Sequence, residues 1–422
     1  MKILLINDST SNPNWGDRAA AISLKKMITE TGGNITEIIS EDDLRYSTFF
    51  NTDLPHKTDH KSAKELVKLF IPPVLLKIRQ KLAWHFGLTE KNSLVPEKWE
   101  DFEKSAEAVF KDKDLYPRLL KAIDNVDMAI IHGDGCMVGN GLLPRTELFL
   151  SYLLKKHFDK PVIIINHTAD FNHPILFKIA QEVYPLFDDV VFRDPISAEQ
   201  CKTLCNGRFA PDTAFLFKPA APENWLPIAR RSTYFDIWPD TAKFDPAAPY
   251  LCIGGSSIFS YDGLPFEIIK DCILLIRHIQ SIYSGQIVLT VSDVVDQSVF
   301  RPIAKELDLP LVGLTIPVQQ AVDILGNAEA YIGGRWHPSI FALRGGTPII
   351  PMSSKTFKMQ ALVNMSGLSS STFDALSLNE AKISIAQQLS SYLEQGKELR
   401  DKLRDWAENA SENSWDNVAC LK

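Results

Sequence analysis

The sequence predicts an α/β protein: two doubly wound domains facing each other across a cleft, with a helical insertion in the first. Three observations lead there. Short apolar runs rich in Ile and Val alternate with helical patterns along most of the chain. The alternation breaks once, in a proline-dense stretch. The length of 422 residues suits two cores better than one.

The strands come first. The runs are Lys2–Ile6, Ile35–Ile39, Met128–Ile131, Val162–Ile165 and Val190–Phe192, then Leu251–Ile253, Ile287–Val291, Ala330–Ile332 and Pro348–Ile350. They are unbroken rather than alternating, because a parallel strand with helices on both sides of its sheet buries both faces. Between them, Asp17–Thr31, Ile175–Leu186, Ile196–Cys205 and Phe266–Tyr283 carry apolar residues at helical spacing. From about Phe217 to Tyr250 the text reads KPAAPENWLP and later WPDTAKFDPAAPY. Proline cannot extend a helix or donate to a sheet ladder. The expected division is therefore a first domain over 1–220, a linker over 221–249, and a second domain over 250–422 ending in a helical tail.

The insertion falls at about 45–120. Within it, residues 58–86 are apolar yet carry Lys61, Lys64, Lys68, Lys77, Arg79 and Lys81 against Glu65, and Pro72 and Pro73 split them into two helices. Two readings stand: a solvated basic face on a packed insertion, or peripheral contact with the anionic inner face of a membrane.

Composition narrows the function. Apolar residues make up 45% and charged residues 23%, which excludes wholesale disorder and fibrous repeats. Lys+Arg 45 against Asp+Glu 52 gives a net charge of −7, so nucleic acid is not an expected partner. The six cysteines are scattered, with no metal-cage or disulfide spacing, and no metal is expected. No stretch reaches the roughly 20 apolar residues of a membrane span. MKILLINDS fits a first strand better than a signal peptide. A soluble cytoplasmic protein is the expectation.

In open α/β sheets the ligand lies beyond the carboxyl ends of the strands, so candidates are sought there. After the first run, NWGD offers Gly16 for a tight turn and Asp17 as a cap of the next helix, whose free amides suit an anion or sugar hydroxyl. After Met128–Ile131, HGDG places Asp134 between Gly133 and Gly135, which let the backbone approach a ligand. It lacks the third glycine of a dinucleotide fingerprint. After Val190–Phe192, Arg193 brings a forked donor for phosphate or carboxylate, with Asp194, Pro195 and Ser197 opening a helix. The alternative for Arg193 is a salt bridge with Asp194 or Asp212. The densest group is Gly333-Gly334-Arg335-Trp336-His337-Pro338: a guanidinium and an imidazole at a helix N-terminus, an anion site with an acid/base group attached. Lys358, with Lys355 close by, opens the following helix and can reach the same anion.

Taken in order, NWGDRAA, HGDG, FRDPISAEQ, APDTAF and IGGRWHPSIFALRGGTPIIP resemble the polysaccharide pyruvyl transferases. The resemblance covers nearly the whole chain outside the insertion and the tail. It implies two Rossmann-like domains in a GT-B-like arrangement. The implied reaction moves a pyruvyl group from phosphoenolpyruvate to a saccharide, lipid-linked or free, as a cyclic ketal with release of phosphate. No cofactor is implied beyond phosphoenolpyruvate as co-substrate. By the same resemblance Arg193, Arg335 and Lys358 hold the donor and His337 is its acid or base. Asp17 and Asp134 are weaker candidates for acceptor binding or base work, and Gly16, Gly133, Gly135 and Ser197 contact substrate. The sequence departs from the family at HGDG, where a longer glycine run is usual, and at SSKTFK before the lysine. The competing expectation is a GT-B glycosyltransferase with a nucleotide-sugar donor.

Overall fold

A computed structural model describes residues 1–46, 95–231, 234–260 and 265–421; the basic segment 58–86 lies outside them. Two six-stranded sheets form. The first runs in the order β2 (Asn34–Ser40), β1 (Lys2–Asp8), β3 (Met128–Val138), β4 (Val162–Asp170), β5 (Asp189–Phe192) and β6 (Arg208–Phe209). Every pairing in it is parallel. The second runs β12 (Ile349–Pro351), β11 (Tyr331–Gly334), β8 (Tyr250–Ser256), β9 (Gln286–Thr290), β10 (Leu311–Val312) and β7 (Ile237–Trp238), parallel except for β7 at its edge.

Each predicted run falls on a strand and overruns it by at most one residue, and all but the half-exposed edge strand β2 are mostly buried. Ile3 and Leu5 of β1 enter one apolar cluster with Leu24, Met27 and Ile28 of the helix Trp15–Glu30. Leu4 and Ile6 enter the opposite cluster with Phe149 and Leu153. Alternate side chains of one run thus stabilise two layers, at about 1.5–3 kcal/mol for each large apolar side chain buried. The three strands the sequence did not predict, β6, β7 and β10, have two residues each and are too short to carry a pattern.

The segment expected as a linker is not bare chain. It holds the helix Pro222–Ala229, with Pro222 in its first turn where no amide partner is needed, and β7, which pairs antiparallel with β10. The long helix Leu378–Asn413 bends at Gly396, whose φ of 51° is left-handed, and the turns after it return to the first sheet. There Val418 packs with Ile3 and Leu5, and Asn417 Nδ2 donates to the Pro211 carbonyl at 2.8 Å.

The two halves dock through the helix Trp15–Glu30. Its Trp15, Ala19 and Ala20 belong to the second domain's apolar core, beside Phe215 and Trp336. Arg18 Nη2 donates to the carbonyls of Leu314 and Ile316 at 3.4 and 3.3 Å.

Candidate functional site

Strand ends of both sheets face one cavity of about 710 Å³. Asn7, Asp134, Thr168 and Arg193 come from the first domain, and Ser257, Ser292, Arg335, His337 and Lys358 from the second. Its first-domain rim is held under local strain. Asn7, next to the end of β1, and Asp134 and Asn166, in the second halves of β3 and β4, all have left-handed backbone (φ 68°, 42° and 55°). Their side chains are tied down behind the rim. Asn7 Nδ2 donates to the His132 carbonyl at 2.7 Å, and Asn166 bridges His132 Nε2 (3.0 Å) and the Thr213 amide (3.0 Å).

Asp212 is the hub where the halves meet. It is fully buried just after β6, and its Oδ1 caps the next turn by accepting from the Ala214 amide at 2.8 Å. Its Oδ2 accepts from Arg193 Nη1 at 3.1 Å and from the Trp336 indole Nε1 at 2.9 Å, and lies 3.5 Å from His337 Nε2. Burial pushes its carboxyl up, but His337 and then Arg193 outweigh this and hold it far below the usual range. The Arg193 guanidinium lies 5.0 Å from the Trp336 ring centroid. The imidazole of His337 is flanked on its other edge by Asp17, 3.9 Å from Nδ1, while Nε2 is 3.9 Å from Asp134.

Gly16 makes this possible by contact and not by a turn. A Cβ there would lie 2.1 Å from His337 Nδ1. The expectation of a Gly16 turn with open amides is corrected: Gly16 is the second residue of its helix. The cap is Asn14, not Asp17, and its Oδ1 takes the Gly16 amide at 2.8 Å and the Asp17 amide at 3.5 Å. Asp17 is thereby released to the cavity wall.

The expected cations do converge, but not as bare charges. Arg193 is 1% exposed and pairs with Asp134 and Asp212, while its Nε donates to Thr168 at 3.0 Å. Among the described residues its Nη2 has no hydrogen-bond partner, and it faces Gly135, where a Cβ would come within 3.2 Å. Arg335 pairs with Asp296 at 2.8 Å and Asp293 at 3.2 Å, both at the start of the helix after β9. Burial raises the Asp296 carboxyl to about 6 although Arg335 opposes it. For Arg193 the salt bridge with Asp212, left open by the sequence, is present; Arg335 is paired as well, since burial of a guanidinium demands a carboxylate. Lys358 differs. Among the described residues no carboxylate lies within ion-pairing distance of its ammonium. Burial first, then Arg193 and Arg335, lower it to about 8. Lys355 also lines the cavity, its amide donating to Ser257 at 3.1 Å.

Two predicted contacts leave the site. Ser197 is fully buried and serves the helix cap: its Oγ donates to Asp194 at 2.8 Å and accepts the Ala169 amide at 3.0 Å. Gly133 packs against His167, whose Cβ would be 2.7 Å from an added methyl. Sequence reasoning gave no ligand-site role to Asp212, Trp336, Asp293 or Asp296. The signal for the first was the APDTAF motif; the acidic pair carried none before Arg335 was seen against it.

Asp17, Asp134 and His337 each bring one ligand-capable atom within 4.8 Å of the others, close enough to share a metal ion. The positive charges of Arg193, paired with Asp134, and of Lys358 beside it oppose a cation there.

A family model described as polysaccharide pyruvyl transferase matches residues 14–356. Among solved structures the fold is similar to Arabidopsis thaliana UGT89C1 complexed with UDP-L-rhamnose (TM-score 0.54, 14% identity, covering 100% of this chain and 98% of that one). It is also similar to the UDP-GlcNAc 2-epimerase of Neisseria meningitidis bound to UDP-GlcNAc (0.53, 12%, 98% and 98%). The Candida albicans trehalose-6-phosphate phosphatase N-terminal domain is a third (0.52, 10%, 100% and 98%). The architecture is thus that of GT-B glycosyltransferases and epimerases. No curated protein sequence matches the chain.

Proposed function

Because the chain belongs to the polysaccharide pyruvyl transferase family, we propose that it transfers the pyruvyl group of phosphoenolpyruvate to a saccharide acceptor as a cyclic ketal and releases phosphate. The observation that carries this reading is Lys358, an ammonium without a carboxylate partner among the described residues, in a cavity that also holds two guanidinium groups. A small dianionic head with a carboxylate beside it is what such a pocket attracts. Lys358 supplies net charge. Arg193 Nη2 and the remaining N–H groups of Arg335 supply direction without net charge, since each guanidinium is already balanced. His337 acts on the protons of the acceptor or of the leaving phosphate, within reach of both walls. The reading needs no metal and no cofactor beyond the donor.

The acceptor approaches from the first-domain side, where Glu41, Arg45, Leu142 and Leu143 continue the cavity. A lipid-linked acceptor at the inner face of the membrane is part of the proposal. No described helix is long and apolar enough to cross a membrane.

Thermal shift with phosphoenolpyruvate against a set of nucleotide sugars tests the donor, and phosphate release with methyl galactosides, glucosides and mannosides tests the reaction. Stabilisation by phosphoenolpyruvate and acceptor-dependent phosphate release are expected. Stabilisation by nucleotide sugars alone would overturn the reading in favour of a glycosyltransferase.

A further inference from the structure

Ketal formation begins with a proton on the methylene carbon of the donor, so the site must hold an acid at that end of the molecule. The donor's orientation follows from charge. Its phosphate and carboxylate belong with Lys358, Arg193 and Arg335, which leaves the methylene as the one uncharged end able to face carboxyl groups. The carboxyl groups are Asp17 and Asp134, which with His337 bring polar atoms to within 4.8 Å of one another. They are not equivalent. Asp134 is paired with Arg193, whereas Asp17 has no Lys or Arg within ion-pairing distance among the described residues. The Asp17 side chain keeps 22% of its surface open, and it lines the cavity.

We propose that Asp17 is the acid that protonates the methylene carbon of phosphoenolpyruvate, and that the resulting carboxylate then takes the proton of the first acceptor hydroxyl. The proposal rests on the reaction argued above and assigns to Asp17 the step that reading left without a residue.

The electrostatics agree. Burial first, then Asp134, Glu41 and Asp293, push the Asp17 carboxyl well above its ordinary value, which favours its protonated form. Burial raises Asp134 as well, but Arg193, His337 and His132 bring it down to about 2, so it stays ionised. Lys358 faces the same pair from the second domain. An arriving trianion raises Asp17 further. Neighbouring carboxyls pushed apart in this way divide into one acid and one permanent anion.

The proton count closes. The C=C pair takes the Asp17 proton, giving a methyl group and positive charge at the carbon that bears the phosphate. The first hydroxyl oxygen bonds to that carbon and its proton returns to Asp17. The second hydroxyl oxygen then displaces phosphate with cleavage of the carbon–oxygen bond. Its proton passes through His337 to the leaving group, which departs as hydrogen phosphate. The ketal keeps only the carboxylate charge.

The test compares full-length wild type with Asp17→Asn in D₂O, using phosphoenolpyruvate and the methyl hexoside panel. Wild type is expected to release phosphate and to place solvent deuterium in the product methyl. The variant should keep the thermal shift with phosphoenolpyruvate, and should release phosphate and build the deuterated methyl at least about 100-fold more slowly. At saturating phosphoenolpyruvate, where the titration of Lys358 no longer shows, its residual rate should lose the fall with rising pH that wild type shows as Asp17 deprotonates. Wild-type phosphate release and pH profile in the variant overturn this assignment alone. An inert wild type overturns the pyruvyl transfer itself, and the assignment with it. Should Asp17→Asn not fold, Asp17→Glu and Asp17→Gln make the same comparison: a measurable rate only in the Glu variant supports the acid, and equal rates refute it.

Discussion

Replacing Gly16 by Ala puts a methyl carbon 2.1 Å from His337 Nδ1 and 2.3 Å from its Cβ and Cγ, where ordinary contact begins at 3.4 Å. The imidazole or the helix Trp15–Glu30 must therefore give way by more than about 1 Å. His337 is 6% exposed and held between Asp17 and Asp212, and the helix is anchored by Trp15 in the second domain's core. Neither can move without loosening the other. Overpacking of this kind costs about 1–3 kcal/mol, offset by roughly 1 kcal/mol of helix propensity gained in exchanging Gly for Ala. Net destabilisation should stay near 0–2 kcal/mol, and the protein should remain folded. A displacement of about 1 Å at a group that moves protons costs on the order of 100-fold in rate. Gly16→Ala is thus expected to lower kcat/KM for phosphate release from phosphoenolpyruvate about 100-fold with a small change in the denaturation midpoint. Activity within twofold of wild type would show that His337 is not where the chemistry needs it, and would refute the reasoning.

Two further perturbations probe the same cavity. Asp212→Asn removes one of the two carboxylates paired with Arg193 and the anion beside His337 and Trp336; with Asp134 still on Arg193, the cost stays at or below the about 3–5 kcal/mol of a fully broken buried pair. Chemical denaturation should show that loss together with collapse of activity, and an unchanged midpoint would rule out Asp212 as the hub. Lys358 is lowered to about 8, so its ammonium is charged below that pH and neutral above it. KM for phosphoenolpyruvate should therefore rise as pH passes 8, and Lys358→Arg, charged throughout, should flatten that limb even if its rate is lower. A limb that survives in Lys358→Arg assigns the titration to another group.

Much of this was open to reading from residue order. The uninterrupted Ile/Val runs specify strands buried on both faces, and with them a parallel sheet whose ligand must lie at the carboxyl ends. That places Asp17, Asp134, Arg193, Arg335, His337 and Lys358 near a common cleft, and the cavity contains all six. What residue order could not reveal depends on how the halves dock. The Gly16 to His337 contact and the Asp212 to Trp336 hydrogen bond join segments from different domains, and no local pattern encodes them.

The state of the charges was likewise undecided by sequence. Arg193 and Arg335 occupy strand ends in both accounts, yet the fold surrounds them with carboxylates and, among the described residues, leaves Lys358 without one. Periodicity determines which side chains go inward, because burial of apolar surface acts residue by residue along each element. Ion pairing and proton affinity depend on distances of 3–4 Å between elements remote in the chain, and those exist only once the two sheets have closed on each other.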